Sequence, residues 1–290
     1  MKRGETIVAI CFMLISIITF AQERNEPLVN PEYPESLNLF LYQQKDSLDF
    51  SKTVKSHRQF RTLIQQIRKR KARAASDEQF LETLFYFVHN KKLKVYDKYA
   101  IMEESLAGGD YGCLTGTALY AILLSAFDYE YDIIELPNHV FLQVKGTDGF
   151  YIYESTLPHE GFKKISENIV SSSNLLAADF RKPISQEVIG SWYGAREIIE
   201  EPFNIIGLKE LAGLQHFNLA VQLYQQKEFE GAIDKATEAY KLYPSKRNQE
   251  LMQLIVNKIL KHDLLKSELR DVYRNQYVNM VKKKRLSQLK

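Results

Sequence analysis

The chain has only two cysteines in 290 residues, and one of them, Cys11, lies in an apolar N-terminal run. Once that run is set aside, Cys113 has no partner, which excludes a disulfide framework. A zinc site is excluded too, because one cysteine with His57, His89, His159, His216 and His262 scattered along the chain offers no metal-ligand spacing. No glycine-rich phosphate loop is present, and neither a metal nor a cofactor is expected. Net charge is also small, at +3, of which Lys2, Arg3 and Glu5 together supply one unit. Nothing in that balance calls for nucleic acid as a partner.

What is present is an ordinary globular composition, 45% apolar and 26% charged, long enough for one sizeable domain and a smaller one. Lys2 and Arg3 precede an apolar run from Ile7 to Phe20, and Phe20-Ala21-Gln22 offers a small-residue cleavage point. A bilayer span needs about 20 apolar residues. The run is short for that, so residues 1–21 read as a signal peptide cleaved after Ala21, with a retained anchor as the alternative. Cys11 follows Ile10 rather than a small residue, which argues against lipid attachment. The mature chain is therefore expected in the periplasm or outside the cell, without a stable membrane span. There a lone thiol is either buried and inert or kept for its chemistry.

Residues 22–75 read as an extension with Pro27, Pro31 and Pro34, followed by a helix from Thr53 to Ala75. Phe60, Leu63, Ile64 and Ile67 recur at helical spacing there, opposite a basic face of Arg61, Arg68, Lys69, Arg70, Lys71 and Arg73, which reads as solvated. Ser76-Asp77-Glu78-Gln79 has the pattern of a capping box and announces a helix running to Asn90. After the turn-rich Gly108–Gly112 stretch, residues 114–127 are small or apolar all round, as in a buried central helix. Tyr131–Leu136, His139–Lys145 and Phe150–Thr156 have strand chemistry, and Gly146-Thr147-Asp148-Gly149 signals a hairpin. Beyond Pro158 only a helix from Ser185 to Gly194, carrying Trp192, is assignable before Leu208.

Cys113 stands where the buried helix begins. A helix N-terminus and a nearby imidazolium both favour a thiolate. His139 follows Pro137-Asn138 at the mouth of a strand. Pairing Lys145 with Phe150 places His139 opposite Thr156 and diagonal to Glu154, with both side chains on one face. A nucleophile, a base and a carboxylate orienting the base are the parts of an acyl-transfer site. Asp132 and Asp148 fit the orienting role less well, since one precedes His139 and the other sits at the hairpin tip. The Cys113 amide is the natural oxyanion donor, and Tyr99 or Tyr111 could supply a second.

The segments GCLTGTALYAILLSAF, LPNHVFLQV and GFYIYESTLP, with the helix from Phe80 to Asn90 before them, resemble the transglutaminase-like superfamily over roughly residues 76–158. That resemblance implies a papain-like core in an α+β fold, a central helix packed on an antiparallel sheet. It also implies Cys113 as nucleophile, His139 as general base and acid, and Glu154 in place of the usual aspartate. The domain it implies is taken as residues 76–200.

Residues 201–290 form an all-α region. Leu219, Ala220, Leu223, Tyr224, Phe229, Ala232, Ala236, Ala239 and Pro244 match the register of one tetratricopeptide repeat, whose small residues let two helices approach closely. A single copy must lean on its neighbours. The basic end, Lys282–Arg285, reads as solvated helix, with a membrane-surface role as the alternative. The expected function is a cysteine-dependent acyltransferase or amide hydrolase acting on a protein or peptide, with the hairpin docking a partner. The alternative is a scaffold or protein-binding module that keeps the fold without turnover.

Overall fold

The computed structural model describes residues 34–41, 50–165, 203–262, 271–275 and 277–279. The expected signal peptide, the Ser185–Gly194 helix and the basic Lys282–Arg285 segment lie outside the described residues. The described chain combines helices with a five-stranded sheet whose neighbouring strands all pair antiparallel.

A short helix α1 (Glu35–Asn38) precedes α2 (Phe50–Lys71) and α3 (Asp77–Lys92). In α2, Phe60, Leu63, Ile64 and Ile67 are buried, as their spacing requires, while Arg70 reaches across to lie 3.5 Å from the Phe87 ring centre. Ser76 caps α3, its hydroxyl accepting from the Gln79 amide at 3.1 Å. The return bond of the expected capping box runs elsewhere: Gln79 Oε1 accepts from the Ala75 amide rather than that of Ser76. Asp77 and Glu78 in the first turn and Lys91 and Lys92 in the last complement the helix dipole.

The stretch after α3 holds structure that local periodicity did not announce. Strand β1 (Val95–Tyr96) pairs in parallel with β2 (Asp110–Tyr111), with helix α4 (Met102–Ala107) between them. Gly108 ends α4 in the left-handed region at φ 83°, where a side chain is strained. The central helix α5 (Cys113–Ser125) follows at once and is buried from Cys113 to Leu124.

Strands β3 (Tyr131–Leu136), β4 (His139–Gly146), β5 (Gly149–Tyr153), β6 (Phe162–Ile165) and β7 (Asn204–Ile206) complete the sheet, in the order β6-β5-β4-β3-β7. Lys145 pairs with Phe150, in the anticipated hairpin register. The ladder stops earlier than anticipated, at Leu142 opposite Tyr153, so Glu154 and Thr156 lie beyond β5 rather than on it. The reason is a tight return to β6, in which the Glu154 amide donates to Gly161 O at 2.8 Å. Alternation divides the sheet: Ile133, Leu142, Val144, Tyr151 and Tyr153 join the main core, and Ile134, Phe141 and Ile152 form a separate cluster on the other face.

Three helices follow the sheet: α6 (Leu208–Gln225), α7 (Phe229–Leu242) and α8 (Lys246–His262). The first two approach most closely at a glycine that the sequence did not single out. A side chain at Gly213 would stand 2.7 Å from Tyr243 Cβ and 3.1 Å from Ala239 O, so α6 and α7 meet almost backbone to backbone. Asn248, fully buried, donates to Ala239 O and Tyr243 O and closes the end of α7. The hairpin leans in both directions. Leu211, Ala212 and Leu214 belong to the core that contains α5, while Ala220, Ala232, Ala236, Met252 and Ile255 build a second core shared by the three helices.

Because Leu211 belongs to the core of the sheet layer, Leu211→Ala should destabilise the whole protein by about 2–5 kcal/mol. Urea unfolding followed by far-UV circular dichroism and by tyrosine fluorescence should give coincident transitions. Separate transitions would show that the helical layer unfolds by itself.

Candidate active site

The candidate residues converge at the N-terminal end of α5. Cys113 opens the helix and retains 9% of its surface exposed. The helix start is built by Thr115, whose Oγ1 accepts from the Gly112 amide at 2.9 Å and from Ser105 Oγ at 3.2 Å. Gly112 itself is pressed by the preceding loop, since a Cβ there would lie 2.9 Å from Asp97 O.

His139, at the first position of β4, is close enough to Cys113 for the thiol to influence its protonation. Its Nε2 donates to Glu154 Oε2, leaving Nδ1 as the nitrogen available to the thiol. The other carboxylate oxygen, Glu154 Oε1, accepts from the Thr156 amide at 2.8 Å and from Thr156 Oγ1 at 2.6 Å. A carboxylate that is 2% exposed is thus fully satisfied, the condition under which a buried charge is tolerated. Burial by itself pushes the His139 pKa down, but the Glu154 carboxylate and the bonds to the thiol and carboxylate outweigh it and raise the pKa. Burial likewise works against ionisation of Glu154, and the His139 charge with the Thr156 bonds more than reverses it, lowering that pKa.

The Glu154 segment reaches the helix because of two glycines. A Cβ on Gly116, one turn into α5, would lie 2.6 Å from both Cβ and Oγ of Ser155, so the helix must be bare where the turn after β5 crosses it. Gly161 would carry a Cβ 2.1 Å from Glu154 O. His89, buried on α3, pins the same turn by donating from Nε2 to Ser155 O at 3.0 Å. Its pKa is lowered by burial, opposed by the bond to Ser155, in keeping with a neutral ring that donates from Nε2.

Tyr96 was not singled out by the sequence. The parallel β1–β2 pairing sets it beside Tyr111, two residues before Cys113, and the 39%-exposed Tyr96 is near enough to Cys113 for the two groups to influence each other electrostatically. Burial, followed by the neighbouring Cys113 and Glu154, raises the Tyr96 pKa, so the phenol stays a neutral donor. The two tyrosines considered for that role are used otherwise. Tyr99 OH donates to Gln225 Oε1 at 3.1 Å. Tyr111 is 5% exposed and packs edge-on against His89 and Tyr96. His89, read as an ordinary histidine, supports the site, and no local pattern in the sequence marks either it or Tyr96. Asp132 accepts from Gln143, and Asp148 bonds Tyr151 and Lys164, so neither orients His139.

Among the described residues no group of three or more His, Cys, Asp or Glu side chains could hold a metal ion. No described helix is long and apolar enough to cross a membrane. Comparison with protein-family models, curated proteins and solved structures finds no match.

Gly116→Ala should displace the Glu154 turn and cost about 1–3 kcal/mol, and Ser155→Gly in the same chain should restore most of the loss, since it removes both clashing atoms. A double-mutant cycle in urea measures this; additive effects would refute the contact.

The ion pair also has a pH signature. The raised His139 pKa contributes stability that is full below about pH 6.5 and lost as pH rises through the folded value, and the lowered Glu154 pKa contributes stability lost as pH falls below about 4.5. The stability difference between wild type and Glu154→Gln should therefore be greatest between about pH 4.5 and 6.5. A pH-independent difference would argue against the pair.

Proposed function

We propose that this chain is an exported thiol enzyme of transglutaminase-like character, which transfers or hydrolyses amide-linked acyl groups of a protein or peptide through an acyl-enzyme on Cys113. The papain-like reading of its core and the tetratricopeptide-like reading of its hairpin belong to the same proposal. The observation that carries it is the meeting of Cys113, His139 and Glu154 at the start of a buried helix, with His139 bonded to Glu154 and near enough to Cys113 for the thiol to influence its protonation.

The chemistry follows from the positions. Cys113 Sγ attacks the amide carbonyl with the thiol's proton already held on His139, whose raised pKa favours the imidazolium, and a carbon–sulfur bond forms while the carbonyl oxygen becomes an oxyanion. In this reading the Cys113 backbone amide and the Tyr96 hydroxyl hold that oxyanion. The carbon–nitrogen bond then breaks, with His139 returning its proton to the leaving amine. Water or a second amine, deprotonated by the same imidazole, resolves the thioester and regenerates the thiol. Glu154 keeps Nε2 protonated throughout and stabilises the imidazolium that forms in each half.

The 9% exposure of Cys113 favours a second reading, a scaffold that retains the fold without turnover. Thiol reactivity separates the two. For an enzyme, iodoacetamide should alkylate Cys113 rapidly at pH 6–7, and His139→Ala should abolish that rapid reaction. Tyr96→Phe should leave alkylation largely intact while lowering turnover of an activated acyl substrate by roughly 100-fold, the scale of losing one oxyanion donor. Slow alkylation that ignores His139→Ala would establish the scaffold.

A further inference from the structure

The helical layer meets the site at two loops, and those loops carry the groups that converge on Cys113. Arg247, in the first turn of α8, donates from Nη2 to Pro137 O, two residues before His139. The same guanidinium lies 3.6 Å from Glu135 Oε1. Glu135 is 5% exposed and also accepts from Tyr243 OH at 2.8 Å and Asn204 Nδ2 at 3.1 Å. The turn between β3 and β4 is therefore held from the helical side by an arginine that is itself anchored on a buried carboxylate.

On the other side of the sulfur, Asn218 of α6 donates from Nδ2 to Lys98 O at 3.1 Å, and Tyr99 OH donates to Gln225 of the same helix. Lys98 lies two residues after Tyr96, and its backbone is packed against the position a Gly112 Cβ would occupy. The Arg247 guanidinium sits 5.9 Å from the ring centre of Phe217, next to Asn218. One patch of the helical layer, made of Phe217, Asn218, Gln225 and Arg247, thus grips both the imidazole loop and the tyrosine loop.

We propose that the helical layer is a brace for the thiol site, with Arg247 a positioning residue for His139 and Asn218 a positioning residue for Tyr96. The proposal rests on the acyl-transfer reading for its purpose, but its Arg247 arm is tested without turnover. Neither residue touches the sulfur. Each holds a carbonyl two residues from a group lying near it, and displacements of about 1 Å at such a group cost up to roughly 100-fold in rate.

The experiment compares wild type, Arg247→Met, Arg247→Lys and, as a control on the same helix, Lys246→Ala. Three readouts are taken: the His139 imidazole titration by NMR, the pH profile of Cys113 alkylation by iodoacetamide, and urea unfolding. Arg247→Met should stay cooperatively folded while the His139 titration midpoint falls toward its ordinary value and alkylation at pH 6–7 slows by roughly 10- to 100-fold. Arg247→Lys, which keeps a cationic donor, should recover part of both, and Lys246→Ala should change neither.

A folded Arg247→Met with an unchanged His139 titration and alkylation profile overturns the brace. If Arg247→Met does not fold, Asn218→Ala carries the test: slower turnover of an activated acyl substrate with an unchanged His139 titration supports the brace, and unchanged turnover refutes it. Failure of the acyl-transfer reading has a different signature, in which wild-type Cys113 itself shows no His139-dependent alkylation. In that case a His139 titration that still shifts in Arg247→Met upholds the brace as a structural device, and one that does not shift overturns it.

Discussion

The contact between the first turns of α5 and the turn that follows β5 governs the rest of the site. It brings a buried carboxylate to the end of a buried helix, an arrangement that is costly unless every oxygen finds a partner. Gly116 gives the space, Gly161 lets the chain fold back within hydrogen-bonding range of Glu154, and His89 fixes the Ser155 carbonyl from α3. With the turn so held, Glu154 meets its needs from Thr156 and His139, and the imidazole is left with one nitrogen for the sulfur.

The same contact bears on the presence of a glutamate where the resemblance implies an aspartate. Here the ladder ends at Tyr153, and Glu154 stands one residue further on, in a backbone already turning toward Gly161. The Thr156 amide and hydroxyl hold the carboxylate in place.

The helical layer is joined to this arrangement by two kinds of interaction. Leu211, Ala212 and Leu214 extend the main apolar core into α6, so burial of nonpolar surface couples the layers at a scale that polar contacts at a surface do not reach. Directional bonds from Arg247, Tyr243, Asn218 and Gln225 then fix the orientation of the loops between the layers. Hydrophobic contact joins the two bodies and hydrogen bonds set their register, a division expected from the non-directional character of the first and the angular demands of the second.

The amino-acid sequence by itself determined the elements whose signals are local. The apolar spacing of Phe60, Leu63, Ile64 and Ile67, the Ser76 cap, the all-round apolar character of α5, the Gly146–Gly149 hairpin and the small-residue faces of α6 and α7 were all readable, because periodicity and capping are properties of neighbouring residues. Cys113, His139 and Glu154 were readable as chemistry-bearing types in a suitable order. Tertiary structure alone decided that Tyr96 comes near Cys113 while Tyr99 and Tyr111 are engaged elsewhere, since a parallel pairing of two-residue strands leaves no periodic trace. It also decided that His89 supports the Glu154 turn, that Gly116 is bare because Ser155 crosses it, and that Arg247 reaches Pro137 across 110 residues of chain. Those contacts join residues far apart in the chain, and their energies exist only once the layers have packed.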